Sequence, residues 1–303
     1  MKKAIFIFLI ISLLIAACQP ALPIGLEGKK TIVVTYSILG GLINDLVGSG
    51  ANVVVLIPNG QDPHEWEPSA KDIEALNKAD LIVQNGLGLE GGLEKTLSLA
   101  EVQGVKTFVA SDYITIRKVG QGEGIPNGGP DQMVGASDPH LWTDPISMKQ
   151  VLVALEGKIK TELGLDVSVR TQYLENQLDS LNTEIATEVD NLPEANRKLV
   201  TGHDSLGYFA QRYGFKLVGA IIPSLTSQAE VSAADLASLK TLIQKNQVKV
   251  IFSELGTPVA ITEAIGKETD VKVVELATHI LPSDGSYFTF IRNLAQTIVE
   301  NLR

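Results

Sequence analysis

Thr31-Ile32-Val33-Val34-Thr35-Tyr36-Ser37 is a run rich in β-branched residues, and it predicts a buried strand. Helical spacing follows over residues 40–46, and a second strand is predicted over 52–58, where a Pro-Asn-Gly turn ends it. Strands that alternate with helices form βαβ units, and such units build a parallel sheet with helices on both faces. This part of the chain therefore predicts an α/β fold.

The same alternation continues through the first half of the chain and then starts again in the second half. Further strands are predicted over 81–84, 106–110, 198–201, 215–222, 248–253 and 271–276. We therefore predict two βα domains, each with a four-stranded, mostly parallel sheet flanked by helices. Between them, an apolar stripe at helical spacing runs from Leu152 to Val189 with one short break, and it predicts a rigid helical connector.

The first residues have the composition of an export signal. Two lysines precede an apolar stretch from Ala4 to Ala17, which is shorter than the ~20 residues of a membrane span. Small residues before Cys18 resemble the lipobox of bacterial lipoproteins, and a plain signal peptide with an incidental cysteine is the alternative. Because Cys18 is the only cysteine, an internal disulfide and a cysteine-based zinc site are excluded. We expect a lipid on Cys18 that anchors the protein outside the cytoplasmic membrane, in the periplasm or at the cell surface.

The charge of the chain limits its partners. The 303 residues carry a formal net charge of −10, and 45% of them are hydrophobic, as in ordinary globular proteins. No basic stripe occurs along the sequence, so nucleic acid is not an expected partner. An acidic surface suits the capture of cations, and we expect a monomer that binds a divalent metal ion.

All four histidines of the chain lie in predicted loops, two in each half. They are His64, His140, His203 and His279. The first two occupy the related stretches Asp62-Pro63-His64-Glu65-Trp66 and Asp138-Pro139-His140-Leu141-Trp142. In open parallel sheets, ligands bind outside the carboxyl ends of the strands, and neutral imidazole is the commonest metal ligand. The pattern therefore predicts one metal site between the two domains.

Acidic and aromatic residues near these histidines are candidates for supporting the site. Ligating histidines usually donate their second ring N–H to a carboxylate or a carbonyl oxygen. The carboxylates predicted for this role are Asp62, Asp138, Asp204 and Glu254. For the aspartates, turn formation and helix capping are the alternative. Trp66 and Trp142 are the only tryptophans, and they either wall the site against water or pack in the core.

Nearly the whole mature chain resembles the zinc/manganese solute-binding lipoproteins of bacterial ABC transporters. Besides the lipobox and the two stretches around His64 and His140, the resemblance rests on Asn85-Gly86-Leu87-Gly88-Leu89-Glu90 and Val200-Thr201-Gly202-His203-Asp204. It implies two βα domains joined by one long backbone helix, with the metal ion between them.

The resemblance also implies a ligand set. The first three ligand positions of the family fall on His64, His140 and His203, and a histidine at the third position resembles the zinc branch. The family usually has an aspartate at the fourth position, where this chain has His279. Asp284 is the alternative fourth ligand. The implied ion is Zn²⁺, with Mn²⁺ as the alternative.

The predicted segments follow from these observations. They are a lipoprotein signal peptide over 1–17, a tether over 18–30, an N-terminal metal-binding domain over 31–145, a connector helical region over 146–194 and a C-terminal metal-binding domain over 195–303. The predicted function is high-affinity zinc binding for delivery to an ABC permease, without enzymatic activity. The alternatives are manganese or iron(II) uptake, a zinc hydrolase with Glu65 or Glu254 as general base, and a surface adhesin. A hydrolase needs an open coordination position, which separates it from a carrier with four protein ligands.

Overall fold

We describe the fold from a computed structural model, over residues 28–123 and 133–303. The predicted signal peptide and Cys18 lie outside these ranges, as does most of the predicted tether. Within the described ranges, none of the helices combines the length and the apolar character that crossing a membrane requires.

The first half of the chain forms a four-stranded parallel sheet, as predicted. Its strands are β1 (Thr31–Tyr36), β2 (Asn52–Ile57), β3 (Leu81–Gln84) and β4 (Thr107–Val109), in the spatial order β2-β1-β3-β4. The connecting helices are α1 (Ser37–Val47), α2 (Ala70–Asn77) and α3 (Glu94–Val102). Side chains of β1 are buried because the strand is central and helices cover the sheet.

The connector consists of two helices, α4 (Pro145–Leu163) and α5 (Ser168–Asp190), which pack against each other. Asp144 caps α4 by accepting a hydrogen bond from the backbone N–H of Ile146. Gly164 ends the helix in the left-handed conformation with φ 69°. The predicted break in the apolar stripe thus corresponds to a helix end, and α5, at 23 residues, is the long helix that leads into the second half.

The second half contains the four predicted parallel strands in two hydrogen-bonded pairs. They are β5 (Lys198–Thr201) with β6 (Lys216–Ala220), and β7 (Val250–Ser253) with β8 (Lys272–Glu275). β5 lies beside β7, so the two pairs form one layer. The predicted four-stranded sheet is thus present as one layer of parallel strands, in which the ladder of hydrogen bonds is not continuous between β5 and β7.

The helices of the second half are α6 (Gly207–Tyr213), α7 (Ala233–Asn246), α8 (Val259–Thr269) and α9 (Tyr287–Leu302). α9 packs against α5 and also against α1 of the first half. At its start, the hydroxyl of Tyr287 donates a hydrogen bond to the carbonyl of Trp142 over 2.9 Å. The largest hydrophobic cluster consequently contains residues of both halves. The α/β fold class is confirmed, and the exact domain boundaries remain a prediction.

Two glycines of α4 test the role of the left-handed helix end. Gly164→Ala should lower the free energy of unfolding by about 1–2 kcal/mol, because a Cβ disfavours positive φ. Gly157 is the matched control, since it lies inside the same helix and an added Cβ meets nothing within 4 Å. Gly157→Ala should raise the free energy of unfolding by about 0.5–1 kcal/mol. Urea denaturation measures both values, and two changes of the same sign would contradict the argument.

Candidate metal centre

The four histidines converge on one buried point. Nε2 of His140 lies 3.3 Å from Nε2 of His64 and 3.2 Å from Nε2 of His203. One ligand atom from each of the four residues, His279 included, lies within 4.8 Å of every other. All four side chains are buried, so a cluster that could hold a metal ion is present.

The parallel strands explain why these residues meet. His64 lies in the loop after β2, and His140 follows the segment that leaves β4. His203 comes directly after β5, and His279 follows β8. The carboxyl ends of parallel strands meet at one edge of each layer, and the two edges face each other. Each half therefore contributes two imidazoles.

The spacing of the ring nitrogens suits a tetrahedral ion. Zinc bound to histidine at about 2.0–2.1 Å places its ligand nitrogens about 3.3–3.4 Å apart. The two short Nε2 separations, 3.3 Å and 3.2 Å, match that edge length. Nε2 of His279 is buried and has no hydrogen-bond partner among the described residues. Its lone pair is thus available to a cation.

Asp138 and Arg117 hold His140 in place. Nδ1 of His140 lies 2.8 Å from Oδ1 of Asp138, and the backbone N–H of His140 donates to the same oxygen over 2.9 Å. The other oxygen, Oδ2, accepts a hydrogen bond from Nη1 of Arg117 over 3.1 Å. Because Nδ1 carries the proton that faces the carboxylate, Nε2 presents its lone pair to the cluster. Burial raises the pKa of Asp138 to about 6, and the Arg117 guanidinium opposes this rise.

Gly207 allows this close packing. An added Cβ at Gly207 would lie 2.1 Å from Oδ2 of Asp138 and 2.4 Å from Nη1 of Arg117. Arg117 also pairs with Glu123, and its backbone N–H donates to the hydroxyl of Tyr208. The ligand loop of the first half is thus held partly by α6 of the second half.

Glu254 is the carboxylate behind the histidines of the second half. It accepts hydrogen bonds from the backbone N–H of Gly202 (3.0 Å) and from the hydroxyls of Ser205 (2.5 Å) and Thr278 (2.8 Å). Burial raises the pKa of Glu254 to about 7, and these hydrogen bonds oppose the rise. Its Oε2 lies 3.5 Å from Nδ1 of His203, a distance longer than a normal hydrogen bond.

The remaining predicted carboxylates have other positions. Asp204 is half-buried, and its charge adds to the raised pKa of Glu254. Oδ1 of Asp62 accepts a hydrogen bond from the backbone N–H of His64 over 2.9 Å. Asp284 is exposed and lies outside the histidine cluster, where its carboxylate accepts from Ser286 and Thr289 at the start of α9.

The two tryptophans have different surroundings. The Trp142 ring lies 5.3 Å from the His140 ring and 5.2 Å from the His279 ring, measured between centroids. Its Nε1 donates a hydrogen bond to the carbonyl of Thr278 over 2.9 Å. Trp142 therefore lies against the cluster and is also part of the hydrophobic core, so the two predicted alternatives do not exclude each other. Trp66 is half-buried and packs against the hydrophobic core.

Burial favours the neutral form of three of the four imidazoles. It lowers the pKa of His140 and of His203 well below the ordinary value, and the neighbouring histidines add to the effect. Burial also lowers the pKa of His279 to about 4, although the Asp62 carboxylate opposes this change. Histidine ligates a metal only in its neutral form, so the cluster is ready to bind one at neutral pH.

Side chains join the loops of the two halves next to the cluster. Nε2 of Gln228 donates to the carbonyl of His64 over 2.7 Å. Asn59 donates to the carbonyl of Leu281 over 2.9 Å and accepts from its N–H over 2.7 Å. A cleft of about 290 Å³ reaches His64 between the halves, with Leu225 among its lining residues.

The sequence did not reveal two of the supporting residues. Arg117 lies far from Asp138 along the chain, and no local motif marks it. Thr278 precedes His279 in a loop without regular periodicity. Only the adjacency of Thr278 to a predicted ligand could have drawn attention to it.

The fold and the cluster define a class: an α/β binding protein with a buried metal centre between two halves. Residues 32–301 match the family described as "Zinc-uptake complex component A periplasmic", and the chain belongs to this family. The predicted family resemblance is thereby confirmed.

Individual relatives agree with this assignment. Zinc-binding protein TroA of Treponema pallidum is 28% identical, and the match covers 91% of this chain and 90% of that protein. Manganese-binding lipoprotein MntA of Halalkalibacterium halodurans is 28% identical over 100% of this chain and 99% of that protein. Zinc-binding lipoprotein AdcA of Streptococcus pneumoniae is 30% identical over 81% of this chain, but the chain spans only 49% of AdcA.

The structure also resembles a solved one. Periplasmic zinc-binding protein TroA from Treponema pallidum superimposes with a TM-score of 0.77 at 26% identity, over 91% of this chain and 99% of that chain. The chain is thus a metal ABC transporter substrate-binding protein, and members of this family are solute-binding proteins rather than enzymes.

The pair of Arg117 with Asp138 provides a test of the site's internal support. Both side chains are buried, so Arg117→Met leaves a buried carboxylate unpaired and should lower the free energy of unfolding by about 3–5 kcal/mol. Arg292→Met is the matched control, because Arg292 pairs with Glu184 at the surface, where such pairs contribute no more than about 1 kcal/mol. Urea denaturation of the metal-free variants measures both, and equal losses would refute the role of Arg117.

Proposed function

We propose that the protein is an extracytoplasmic, high-affinity zinc-binding lipoprotein that delivers Zn²⁺ to an ABC permease. The ligands in this proposal are His64, His140, His203 and His279. The observation that carries it is the convergence of four buried imidazoles, with Nε2 separations of 3.3 Å and 3.2 Å in two of the pairs.

The donor set favours zinc over manganese. Relatives are named for either metal, so their names alone do not select the ion. Manganese prefers oxygen ligands and lies lowest in the divalent affinity order, whereas zinc accepts tetrahedral nitrogen coordination. A site with four imidazole nitrogens and no carboxylate in direct contact with the ion therefore suits Zn²⁺.

The proposed location follows from the start of the chain. The lipobox-like sequence before Cys18 supports lipid anchoring outside the cytoplasmic membrane, and several relatives are named lipoproteins. In this proposal the anchored protein acts as a monomer and passes the ion to a permease in the same membrane system. The cleft between the halves is the route by which the ion reaches His64.

The same geometry disfavours a zinc hydrolase. Four protein nitrogens occupy all four coordination positions of a tetrahedral ion, whereas a hydrolase needs one position for water or substrate. Of the two predicted general bases, Glu65 is exposed, and Glu254 is engaged with Gly202, Ser205 and Thr278.

Metal choice can be tested by direct competition. The metal-free protein, equilibrated with equal concentrations of Zn²⁺ and Mn²⁺ and then desalted, should retain zinc in large excess, because manganese is poorly matched to imidazole. Elemental analysis gives the ratio. Retention mainly of manganese would refute the choice of ion, and retention of neither metal would refute the site.

The fourth ligand can be tested by a pair of variants. His279→Ala should weaken zinc binding by more than about 100-fold, since loss of a supporting residue alone costs about 10–100-fold. Asp284→Asn is the control, because Asp284 is exposed and its carboxylate accepts hydrogen bonds at the start of α9, and it should leave the affinity unchanged. Competition with a zinc chelator measures both dissociation constants. The reverse pattern would move the ligand to Asp284.

Zinc affinity should fall as the pH is lowered through 7 and then 6. In the metal-free site the pKa of Glu254 is about 7 and that of Asp138 about 6, and a nearby dication lowers both values. Binding therefore releases protons in this range, so affinity rises with pH and levels off above about pH 8. Protonation of His279 adds to the loss only at lower pH, because its pKa is about 4.

Isothermal titration in two buffers of different ionisation enthalpy counts the released protons. We expect proton release near about pH 6.5 and little above about pH 8. An affinity that stays constant from about pH 8 to about pH 5 would contradict the proposed site.

A further inference from the structure

A short chain of buried hydrogen bonds ends at the fourth histidine. Oγ1 of Thr278 lies 2.9 Å from Nδ1 of His279 and 2.8 Å from Oε2 of Glu254. The three residues are 0%, 2% and 5% exposed, so water does not compete for these contacts. The geometry joins the imidazole to a carboxylate through a single hydroxyl.

The direction of these hydrogen bonds is set by the number of protons. A hydroxyl has one proton, and the Glu254 carboxylate, in the ionised form that it takes above its pKa of about 7, can only accept. The Thr278 hydroxyl therefore donates to Glu254, and its oxygen accepts from His279. That acceptance requires the His279 proton to lie on Nδ1, which leaves the lone pair on Nε2. Nε2 is buried and has no hydrogen-bond partner among the described residues, so it is the ring nitrogen left for the cluster.

Thr278 is itself held rigidly. Its carbonyl accepts a hydrogen bond from Nε1 of Trp142, and the Trp142 ring packs against the His279 ring with centroids 5.2 Å apart. A β-branched side chain has few χ1 rotamers, so fixing the backbone also restricts the hydroxyl. The other ligands are supported differently: Asp138 contacts His140 directly, and Nδ1 of His203 lies 3.5 Å from Glu254.

We propose that Thr278 is a positioning residue that fixes the orientation and the Nδ1–H tautomer of His279. Because its hydroxyl proton is donated to Glu254, the Thr278 oxygen is left to accept a hydrogen bond from Nδ1–H of His279. The inference rests on the proposed function, since it concerns one ligand of the same site. It assigns to Thr278 a role in zinc affinity although its side chain does not touch the ion.

The test compares two substitutions at one position. Thr278→Val keeps the shape of the side chain and removes the hydroxyl, and it should weaken zinc binding by about 10–100-fold. Thr278→Ser keeps the hydroxyl and should bind zinc within a few-fold of the wild type. Thr171→Val is the matched control, because the buried Thr171 hydroxyl donates to the Val167 carbonyl in α5, away from the histidines.

A second readout separates positioning from general stability. Nitrogen-15 NMR of the metal-free protein at about pH 8.5, where the Glu254 carboxylate is ionised, reports which ring nitrogen of His279 carries the proton. We expect Nδ1–H in the wild type, in Thr278→Ser and in Thr171→Val, and a shift toward Nε2–H or a mixture in Thr278→Val. Zinc affinity is measured for all four proteins by chelator competition.

The outcomes distinguish the two proposals. A wild-type protein that binds no zinc would refute the proposed function. If the wild type binds zinc and Thr278→Val keeps both its affinity and its tautomer, the role of Thr278 is refuted while the function stands. Equal losses in Thr278→Val and Thr171→Val, with the tautomer unchanged, would reduce Thr278 to a structural residue and also refute the inference.

Discussion

The burial of four imidazoles around one point is the constraint on which the rest of the structure depends. A buried polar nitrogen must find a partner, and a buried imidazolium is strongly disfavoured. Burial therefore favours the neutral form of His140, His203 and His279. In His140 and His279, one ring nitrogen faces a protein partner and the other is left for the cluster. The Asp138 carboxylate and the Thr278 hydroxyl are the outward partners of His140 and His279. Gly207 packs directly against Asp138, and Trp142 packs against the rings of His140 and His279.

The negative charges that balance the proposed ion belong to residues behind the ligands and not to the ligands themselves. Four neutral ligands leave the +2 charge of a bound cation uncompensated at the point of contact, and the nearest negative groups are the carboxylates behind the rings. Asp138 is already paired with Arg117, whereas Glu254 is surrounded by neutral donors. Burial raises the pKa of Glu254, and the hydrogen bonds from these neutral donors oppose the rise. An arriving dication would supply the missing positive charge.

The sequence predicted those features that depend on local pattern. Strand β1 and its neighbours could be recognised because β-branched runs between helical stretches have few other solutions, and the loop histidines stood out because the chain has only four. Contacts between distant segments could not be predicted. Arg117 meets Asp138 because backbone hydrogen bonds pair the two segments, the strands of the second half form two separate hydrogen-bonded pairs, and α9 returns to pack on α1. None of these leaves a periodic signal.

The division of the ligands between two halves makes the affinity a property of their arrangement. Each half holds two imidazoles, and the second pair acts on an ion bound to the first as a tethered binding module at high effective concentration. The contacts of Gln228 and Asn59 across the cleft contribute to that concentration without touching the ion. Any partner that moves the ligand loops of one half a small distance from those of the other would leave the ion with two ligands instead of four. The same four side chains could then bind the ion tightly and also release it readily.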